Sequence, residues 1–501
     1  MGGGILQLMA TGAQEAHLTL NATTTLFKRI HRPITPFGVE TLEMCENGQG
    51  AGWGRSVTEK LTRGGDLVGY TWAHIDVGPL TPDMWSDNLS DNYWTDYVSA
   101  GAGSGSSTVE DIIKEDFCLS WVAANGLRIL KEVIFTIGGQ TIDRVTSQMM
   151  LIYAELELDA GKKKTHDQMV GKVYGGNPMS LVCNGDKATS YMVPLPFWFT
   201  LEAASFLPLL ALQYHDCTIQ FKIEEFDKCV AVFGKSNGAF VPASAYTVKG
   251  PPPSLDICLY SDFIFLDGPE RELIARQDHM YHIKQHVENY MQMPITQIGR
   301  SGTGGGTVSA NLEVNLNHPA EGIVVIAQRA SNLHNKDWTN LGKCNAGAGA
   351  TGGDLVASHE FLLNNRAIGV KHSGKAKRLH SSFYYHQNSH DPAMPMYSTN
   401  FALRPGHTTY SGSVNMSRID TALVRLQIEL PKKEVYTDSS GASLVRYYYE
   451  STSAVAGKSF VNSSQQPEGN HDGDQILFSV LGKVWNFLVI KGGMGGTKFS
   501  N

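Results

Sequence analysis

The sequence predicts an all-β protein built from two domains, and three observations support this fold class. Strict alternation of apolar and polar residues, which is typical of half-buried strands, occurs over 219–224, 312–316 and 424–430. The 52 glycines and 20 prolines are spread along the whole chain, as expected when many short strands are joined by tight turns. A chain of 501 residues is long enough for two β-sandwiches of about 200 to 250 residues each.

Two further kinds of pattern place the remaining elements. Dense apolar runs over 127–137 and 322–327 favour strands buried on both faces because both contain β-branched residues, although a buried helix gives the same pattern. A Pro-Glu-Arg-Glu start predicts a short helix over 269–277. Another short helix is predicted because five apolar residues share one helical face: Ile142, Val145, Met149, Ile152 and Leu156.

Stretches rich in Gly or Pro predict loops inserted between the strands. These stretches are 48–54, 100–107, 251–253, 302–306 and 346–353. Long loops are compatible with a sandwich because they lie at the ends of the sheets and leave the packing of the strands undisturbed.

The chain divides best near Gly268, where a strand-like segment, 257–266, is followed by Asp-Gly-Pro and the short helix. We therefore expect an N-terminal arm over 1–25, a first domain over 26–268, a linker helix over 269–280 and a second domain over 281–501. A faint internal echo links 135–144 with 361–368, because in both an apolar strand runs into a Gly or Asn turn followed by Arg. By itself this echo proves no relation between the halves.

The charge balance argues against direct binding of nucleic acid. The formal net charge is −7 and the pI is near 6.2, whereas binding to a phosphate backbone needs clustered Lys and Arg. The densest basic run, Lys162 to Lys164, is only three residues long and fits a solvated loop better than a phosphate contact. We therefore expect no direct contact with nucleic acid.

Seven cysteines stand at long spacings with no Cys-x-x-Cys pair: Cys45, Cys118, Cys183, Cys217, Cys229, Cys258 and Cys344. We interpret them as reduced thiols in a cytosolic setting. Residues 1–10 lack the basic start and the long apolar stretch of a signal peptide, and Leu6 stands where myristoylation of Gly2 needs Ser or Thr. The longest apolar stretch, 197–212, is interrupted by Glu and Pro and does not predict a membrane span.

Phosphate-binding motifs are incomplete in this sequence. Gly457-Lys-Ser459 has the ending of a P-loop, but Thr452 occupies the position of its first Gly. The glycine-rich stretches 302–306 and 492–496 do not give Gly-x-Gly-x-x-Gly between a strand and a helix, so they do not support dinucleotide binding. We therefore assign no cofactor.

Three histidines, His279, His282 and His286, would share one face of a helix, and that geometry suits zinc. However, no His-Glu-x-x-His motif and no obvious Cys or carboxylate ligands occur nearby, and a strand would scatter the three rings. We therefore favour structural histidines over a metal site. The same interpretation applies to His386, His390 and Asp391.

Most of the tryptophans lie in the first quarter of the chain: Trp53, Trp72, Trp85, Trp94 and Trp121. An aromatic surface can bind carbohydrate, but a role in the core or in subunit contacts fits better. Because nothing indicates secretion, we expect the four glycosylation sequons to be unused. They begin at Asn21, Asn88, Asn415 and Asn462.

Several longer strings, taken in order, carry a resemblance to a known family. In the first half they are 1–8, 12–14, 26–28, Phe37, Ile137-Gly-Gly-Gln-Thr-Ile-Asp143, Leu195-Pro-Phe-Trp-Phe199, 209–215 and 260–267 with Glu270-Arg271. In the second half they are Asn317-His-Pro319, Phe401-Ala-Leu-Arg-Pro405, 411–420 and 492–496. Together they resemble the major capsid proteins of nucleocytoplasmic large DNA viruses. The segments 99–107, 346–353 and 435–473 match nothing in that family.

The resemblance implies a double jelly roll, that is, two tandem eight-stranded jelly-roll β-sandwiches with short helices and long loop insertions. It also implies a structural protein without catalytic, cofactor or metal residues. Such a protein forms pseudo-hexameric homotrimers that tile the icosahedral shell of a large double-stranded DNA virus, assembled in the host cytoplasm. Minor capsid and penton proteins and an inner membrane are the implied neighbours in the virion.

Two other classes of function remain open from the residues alone. A lectin or cupin-like sandwich would bind a small ligand, and a cupin would need a compact set of His and Glu ligands on neighbouring strands. A carbohydrate-active enzyme would need a pair of carboxylates, but none can be singled out among 48 acidic residues. Mass in solution separates these alternatives from a capsid protein, which should be a stable trimer.

Overall fold

The computed structural model describes residues 31–44, 51–88, 116–172, 187–234, 241–294, 306–342, 353–387, 394–429, 432–437, 443–450, 458–460 and 475–499, apart from the single positions 242 and 335. Trp94 and scattered positions before residue 29 are also described. The loops expected at 48–54, 100–107, 302–306 and 346–353 lie wholly or partly outside these residues, as does most of 1–25.

The first half of the chain contributes the strands β1 to β13. They are β1 (Phe37–Met44), β2 (Ser56–Lys60), β3 (Leu67–Val77), β4 (Trp85–Asp87), β5 (Phe117–Trp121), β6 (Leu130–Ile137), β7 (Gln140–Thr146), β8 (Thr189–Pro194), β9 (Leu207–Pro208), β10 (Cys217–Ile223), β11 (Val230–Gly234), β12 (Tyr246–Val248) and β13 (Leu255–Leu266). Eight of them form two facing sheets, sheet I with the order β1-β13-β3-β8 and sheet II with the order β2-β10-β6-β7. β9 extends sheet I, whereas β4, β5, β11 and β12 form two short ribbons.

The second half contributes β14 to β26. They are β14 (His279–Pro294), β15 (Thr307–Glu313), β16 (Pro319–Arg329), β17 (Val356–Leu363), β18 (Arg366–Ser373), β19 (Tyr397–Asn400), β20 (Val414–Asn415), β21 (Ala422–Glu429), β22 (Lys432–Thr437), β23 (Ser443–Glu450), β24 (Lys458–Phe460), β25 (Gln475–Lys491) and β26 (Met494–Thr497). Sheet III has the order β14-β25-β16-β19, and sheet IV has the order β15-β21-β17-β18. Short strands β20 and β26 extend sheet III.

Both halves have the same topology. When the eight main strands of each half are numbered along the chain, both show the orders 1-8-3-6 and 2-7-4-5, with every pair antiparallel. Two sheets in which distant strands of the sequence pair in this way make a jelly roll. The expected fold class, two tandem eight-stranded jelly rolls, is therefore confirmed.

The echo noted in the sequence falls on equivalent hairpins. Strands β6 and β7 are joined by Gly138 and Gly139, and β17 and β18 by Asn364 and Asn365. All four turn residues have positive φ, from 48° to 83°, which is the backbone that a tight two-residue hairpin requires and that Gly and Asn adopt most readily. The same turn geometry thus occurs at the same place in both sandwiches.

The helices are short connections on this β scaffold. They are α1 (Asn125–Ile129), α2 (Ser147–Leu156), α3 (Ala160–Met169), α4 (Trp198–Leu201), α5 (Gly268–Arg276), α6 (Ala330–His334) and α7 (Gly374–Tyr385). Single 3-10 turns occupy Pro82–Met84, Ala203–Ser205, Leu209–Ala211, Phe226–Cys229, Ala243–Ala245 and Met416–Arg418. Among the described residues, none of the helices is long and apolar enough to cross a membrane.

Most predicted elements are confirmed, with three corrections. The run 127–137 is not one strand, because α1 ends at Ile129 and β6 begins at Leu130; apolar residues continue from one element into the other, so the sequence shows no break between helix and strand. The helix expected from Ile142 begins only at Ser147, where Thr146 accepts a hydrogen bond from Met149 N and caps it. The alternation over 312–316 runs past the end of β15 at Glu313, although Leu316 is still buried.

The segment 435–473, which matches nothing in the family, is an insertion between two main strands, β21 and β25. Its described residues, with those just before it, form a three-stranded antiparallel sheet in the order β22-β23-β24. This part of the insertion therefore has regular backbone structure and is more than a loop.

The hydrophobic core continues from one sandwich into the other. In the first sandwich it is rich in aromatic rings, for example Phe135, whose ring centroid lies 5.0 Å from that of Phe199. The same cluster includes Leu481 and Leu488 of β25, a strand of the second sandwich. A separate cluster fills the space between sheets III and IV. The two jelly rolls are therefore packed firmly on one another.

Candidate assembly surfaces

The edge of the first sandwich packs on the face of a sheet in the second sandwich. Strand β7, at the edge of sheet II, and helix α2, which follows it directly, lie on the outer face of sheet III. The Thr146 hydroxyl donates to the Glu288 carboxylate at 2.9 Å, and the Ser479 hydroxyl donates to the side-chain carbonyl of Gln148 at 3.0 Å. The edge of one jelly roll thus binds the sheet of the next.

A buried acidic side chain connects the two sandwiches at the centre of this contact. Asp143 of β7 accepts hydrogen bonds from the backbone N–H of His286 and from its ring Nδ1, both at 2.9 Å. Neither side chain is more than 7% exposed. Next to this pair, the Gln285 amide donates to the Ile142 carbonyl. Because both partners are removed from water, this contact fixes the relative position of β7 and β14.

Two lysine–glutamate pairs lie at the same contact. Lys284 Nζ is 2.7 Å from Glu321 Oε2, and Lys483 pairs with Glu157 at the end of α2. Burial raises the pKa of Glu321 and lowers the pKa of Lys284, because each charged form loses hydration. Burial also disfavours the Glu157 carboxylate, but the Lys483 ammonium outweighs this effect and lowers its pKa. The Lys284–Glu321 pair lies within sheet III, whereas the Lys483–Glu157 pair joins sheet III to the first sandwich.

A cavity of about 50 Å³ remains between α2 and sheet III. Tyr153 and Glu157 line it from the first sandwich, and Lys483 and His386 line it from the second. Burial lowers the pKa of His386 to about 4. The volume suits a water molecule or two rather than an organic substrate, whose sites measure about 300 to 1,000 Å³.

The equivalent surface of the second sandwich is exposed. Strand β18 has the same place in its sheet as β7, and α7 follows β18 as α2 follows β7. The cap is also repeated, because Ser373 accepts a hydrogen bond from Ala376 N as Thr146 does from Met149 N. All eight residues of β18 are exposed. Among the described residues, no sheet covers this edge as sheet III covers β7 and α2.

We call β18 and α7, residues 366–385, the basic edge. It contains no Asp or Glu, and it carries Arg366, Lys371, Lys375, Lys377 and Arg378. Large apolar side chains are also exposed on it: Val370 is 75% exposed, and Phe383 is 79% exposed. Apolar groups that stand out among cations in this way are typical of a protein contact surface.

The outer face of sheet I, which we call the acidic face, has the opposite charge. The four strands of sheet I contain no Lys or Arg. Outward-facing carboxylates lie on β1, β3 and β13, at Glu43, Asp76, Asp256 and Asp262. Between them Trp72 stacks on Tyr260 with ring centroids 5.8 Å apart. This face combines aromatic surface with negative charge.

The three histidines that would share a helical face lie on a strand, β14, so their rings are scattered. His279 contacts the Ile274 carbonyl at 2.7 Å, His282 packs edge-on against Phe487, and His286 binds Asp143. His390 and Asp391 lie outside the described residues. Within the described part of the chain, no group of three or more His, Cys, Asp or Glu is arranged to hold a metal ion.

The prediction that all seven cysteines are reduced thiols is wrong for Cys258 on β13. Cys258 is disulfide-bonded, because the fold can bring together cysteines whose sequence spacing shows no relation. Cys118, Cys217 and Cys229 are thiols outside any disulfide, and burial raises the pKa of both Cys217 and Cys229 to about 12, which makes them poor nucleophiles. Three cysteines lie outside the described residues: Cys45, Cys183 and Cys344.

One catalytic motif was not identified from the sequence. Gly234-Lys-Ser-Asn-Gly238 has the Gly-x-Ser-x-Gly pattern of a nucleophile elbow, in which a strand turns directly into a helix. Strand β11 ends at Gly234, the next described element is the 3-10 turn Ala243–Ala245, and Ser236 lies outside the described residues. The described fold therefore gives this match no support.

The tryptophans divide between the core and the surface. Trp85, Trp94 and Trp121 are almost fully buried, which confirms the expected core role for these three. Trp53 stacks on Trp121 with centroids 6.0 Å apart, whereas Trp72 belongs to the acidic face. The sequence did not identify the basic edge or the acidic face, although the separation of charge along the chain was a signal that could have done so.

One jelly-roll topology repeated in a single chain, with the edge of one sandwich on the sheet of the next, defines a double jelly-roll protein. Solved structures of this fold include the quasi-atomic model of the PBCV-1 virus capsid, which superposes with a TM-score of 0.66. That superposition covers 95% of this chain and 100% of the other at 20% identity. At this level of identity the likeness concerns the fold.

Sequence comparison finds major capsid proteins of large DNA viruses among the proteins similar to this chain. Residues 25–267 match the family model described as major capsid protein N-terminus. The chain is 26% identical to the major capsid protein of Paramecium bursaria Chlorella virus 1, over 100% of both chains. It is 28% identical to that of Chrysochromulina ericina virus, where the alignment covers 66% of this chain and 58% of the relative, so it spans less than two thirds of that relative. The chain is thus similar to the major capsid proteins of large DNA viruses. The relatives' names denote a structural role and not an enzymatic one.

Proposed function

We propose that this protein forms the capsid shell of a large double-stranded DNA virus, as pseudo-hexameric homotrimers that tile an icosahedral surface. The observation that carries the proposal is the repeated jelly roll, because three chains with two like sandwiches each supply six similar blocks around one axis. The exposed basic edge and acidic face support self-association. A jelly roll suits this task since its sheets bury one another and its loops vary without disturbing them.

The energetics of a shell require two strengths of contact. Trimer contacts of an obligate assembly bury on the order of 2,000 Å² or more with an apolar centre. Contacts between trimers are individually weaker, so that misplaced subunits dissociate while the sum of many contacts holds the shell together. We assign the basic edge and the acidic face to the stronger class because both display large apolar side chains.

The proposed division of the chain is an arm over 1–25, a first jelly roll over 26–268, a linker helix over 269–280 and a second jelly roll over 281–501. The family match over 25–267 and the position of α5 support this division, with the difference that α5 ends at Arg276 and the first strand of the second jelly roll, β14, begins at His279. The insertions at 99–107, 346–353 and 435–473 are proposed to carry what is particular to this virus.

The proposed location is the outer shell of the virion, assembled in the host cytoplasm. Minor capsid proteins, a penton protein and an inner membrane are the proposed neighbours. The net charge of −7 supports the proposal that other components of the virion, and not this chain, contact the genome.

The mass in solution tests the proposal. We expect size-exclusion chromatography with light scattering to give three times the 54.7 kDa of the chain, and negative-stain images to show particles with a hexagonal outline. A lectin, cupin or carbohydrate-active enzyme would be expected as a smaller species that binds sugar or metal. A stable monomer would contradict the capsid proposal.

The arm has its own test. Deleting residues 1–25 should leave the trimer mass unchanged but weaken the assembly of trimers into shells, since the arm is proposed to reach inner partners. Particle yield, measured by sedimentation and electron microscopy, checks this. Normal yields of normal particles from the truncated protein would refute the role of the arm.

A further inference from the structure

The contact inside the chain shows how one sandwich binds the next. Strand β7 and helix α2 present Met149 and Ile152 toward Val324 and Leu481 on the outer face of sheet III, around the small cavity. The basic edge is the same pair of elements in the second sandwich, and the acidic face is the outer face of the same sheet in the first sandwich. Both surfaces are exposed in the single chain.

We propose that the basic edge of one chain docks on the acidic face of a second copy of the same chain, repeating the internal contact between molecules. The inference rests on the proposed function and adds the surfaces and the chemistry of the contact. Each copy has one basic edge and one acidic face, so the contact is head to tail, and such contacts close into rings when the rotation permits.

The apolar parts of the two surfaces fit this pairing. Leu379 and Phe383 on α7 are 52% and 79% exposed, and helices of this kind normally bury such residues. On the acidic face, Tyr70 is 49% exposed and Met192 is 43% exposed, beside the stacked rings of Trp72 and Tyr260. Covering both sets at once would remove a large apolar area from water.

The charges of the proposed contact are the reverse of those in the two ion pairs that join the sandwiches inside the chain. In those pairs the edge supplies carboxylates, Asp143 and Glu157, and the sheet supplies His286 and Lys483, although sheet III also carries Glu288 and the Lys284–Glu321 pair. Between copies, the edge would supply Lys371 and Lys375 and the sheet would supply carboxylates. An edge of the first sandwich would therefore meet like charge on an acidic face. Reversed charges exclude that wrong pairing and make the two kinds of sandwich alternate.

The acidic face also shows local repulsion that a cation from outside would relieve. Asp256 lies directly opposite Asp76 in the register of β13 and β3, and like charges in this arrangement destabilise a sheet. Asp76 has His74 Nε2 at 3.3 Å, but the strands of the sheet supply no Lys or Arg. The lysines of a docked basic edge would neutralise this pair.

Charge reversal tests the proposal in the full-length protein. The edge variant is Lys371→Glu with Lys375→Glu, and the face variant is Asp76→Lys with Asp256→Lys. A third variant combines all four changes. The matched control is Lys162→Glu with Lys164→Glu, which makes the same charge change as the edge variant on exposed positions of α3. Circular dichroism and thermal melting report whether each variant is folded.

We expect the edge variant and the face variant each to raise the concentration at which trimers dissociate by about tenfold or more, because like charges then meet in the contact. The combined variant should recover trimers, since opposite charges meet again, and the control should match the wild type. Trimers of undiminished stability in either the edge or the face variant, with wild type also trimeric, would overturn this inference and leave the proposed function standing. A monomeric wild type would instead overturn the proposed function.

Discussion

His359 is a basic side chain enclosed in the second sandwich. It lies on β17, is 2% exposed, and stands opposite His372 of β18 and Leu426 of β21. Burial lowers its pKa to about 3, helped by the nearby Lys377 and His372. The ring is therefore neutral in the folded protein at all but very acidic pH, whereas in the unfolded chain it titrates near its usual value of about 6.5.

This difference predicts an acid sensitivity. Between about pH 6.5 and 3 the unfolded chain binds a proton that the folded chain does not, so the free energy of unfolding falls as the pH drops through this window. From pH 7 to pH 5 the contribution of His359 is about 2 kcal/mol. Urea unfolding at the two pH values should show a smaller loss in His359→Gln than in the wild type.

The control for this prediction is His334→Gln, because His334 is exposed at the end of α6 and lies outside the basic edge. It should keep the pH dependence of the wild type. Equal losses in His359→Gln and the wild type would show that the buried ring does not cause the acid sensitivity.

At the scale of elements, the two equivalent hairpins adopt the same turn conformation with different residues. Gly138-Gly139 and Asn364-Asn365 all have positive φ. Asn364 also accepts hydrogen bonds from Asp420 N and Thr421 N, so its side chain has a second role. Asn365 is exposed, and its conformation is the main constraint on the residue at that position.

Asn365→Val should therefore destabilise the protein by about 1 to 2 kcal/mol, since a β-branched residue is disfavoured at positive φ. Asn365→Gly should be tolerated, as the Gly at the equivalent turn of the first sandwich indicates. Chemical unfolding of the three proteins at pH 7 measures the difference. Similar stabilities for the Val and Gly variants would mean that the turn relaxes to another conformation.

The strands and helices show which parts of the fold sequence patterns can predict. Alternation identified β10 and β21 because one face of each strand is buried and the other is not. It failed over 127–137, where helix α1 passes directly into strand β6 and the sequence marks no break between them. Alternation could not predict the contact surfaces either, because the exposure of α7 and the burial of α2 depend on how the two sandwiches pack on each other.

At the scale of the whole molecule, the internal contact between the two sandwiches is the one that the proposed trimer would repeat between chains. Asp143 and His286 join the sandwiches without solvent, and the core cluster of the first sandwich includes residues of β25. A rigid internal contact matters for assembly, since a loose one would let the basic edge and the acidic face of each chain change their relative direction. The acidic face and the basic edge then act at a fixed geometry.

Removing the buried carboxylate at this contact tests that rigidity. Asp143→Ala leaves the backbone N–H and the ring of His286 without their acceptor in a buried site, which should cost about 2 to 4 kcal/mol of unfolding free energy. It should also increase proteolysis at the boundary between the sandwiches under native conditions. Asp216→Ala is the control, because its pair with Lys60 is also short, 2.7 Å, but lies in solvent, so its loss should change stability far less. If both variants were equally stable, the Asp143–His286 contact would not be what holds the two jelly rolls in register.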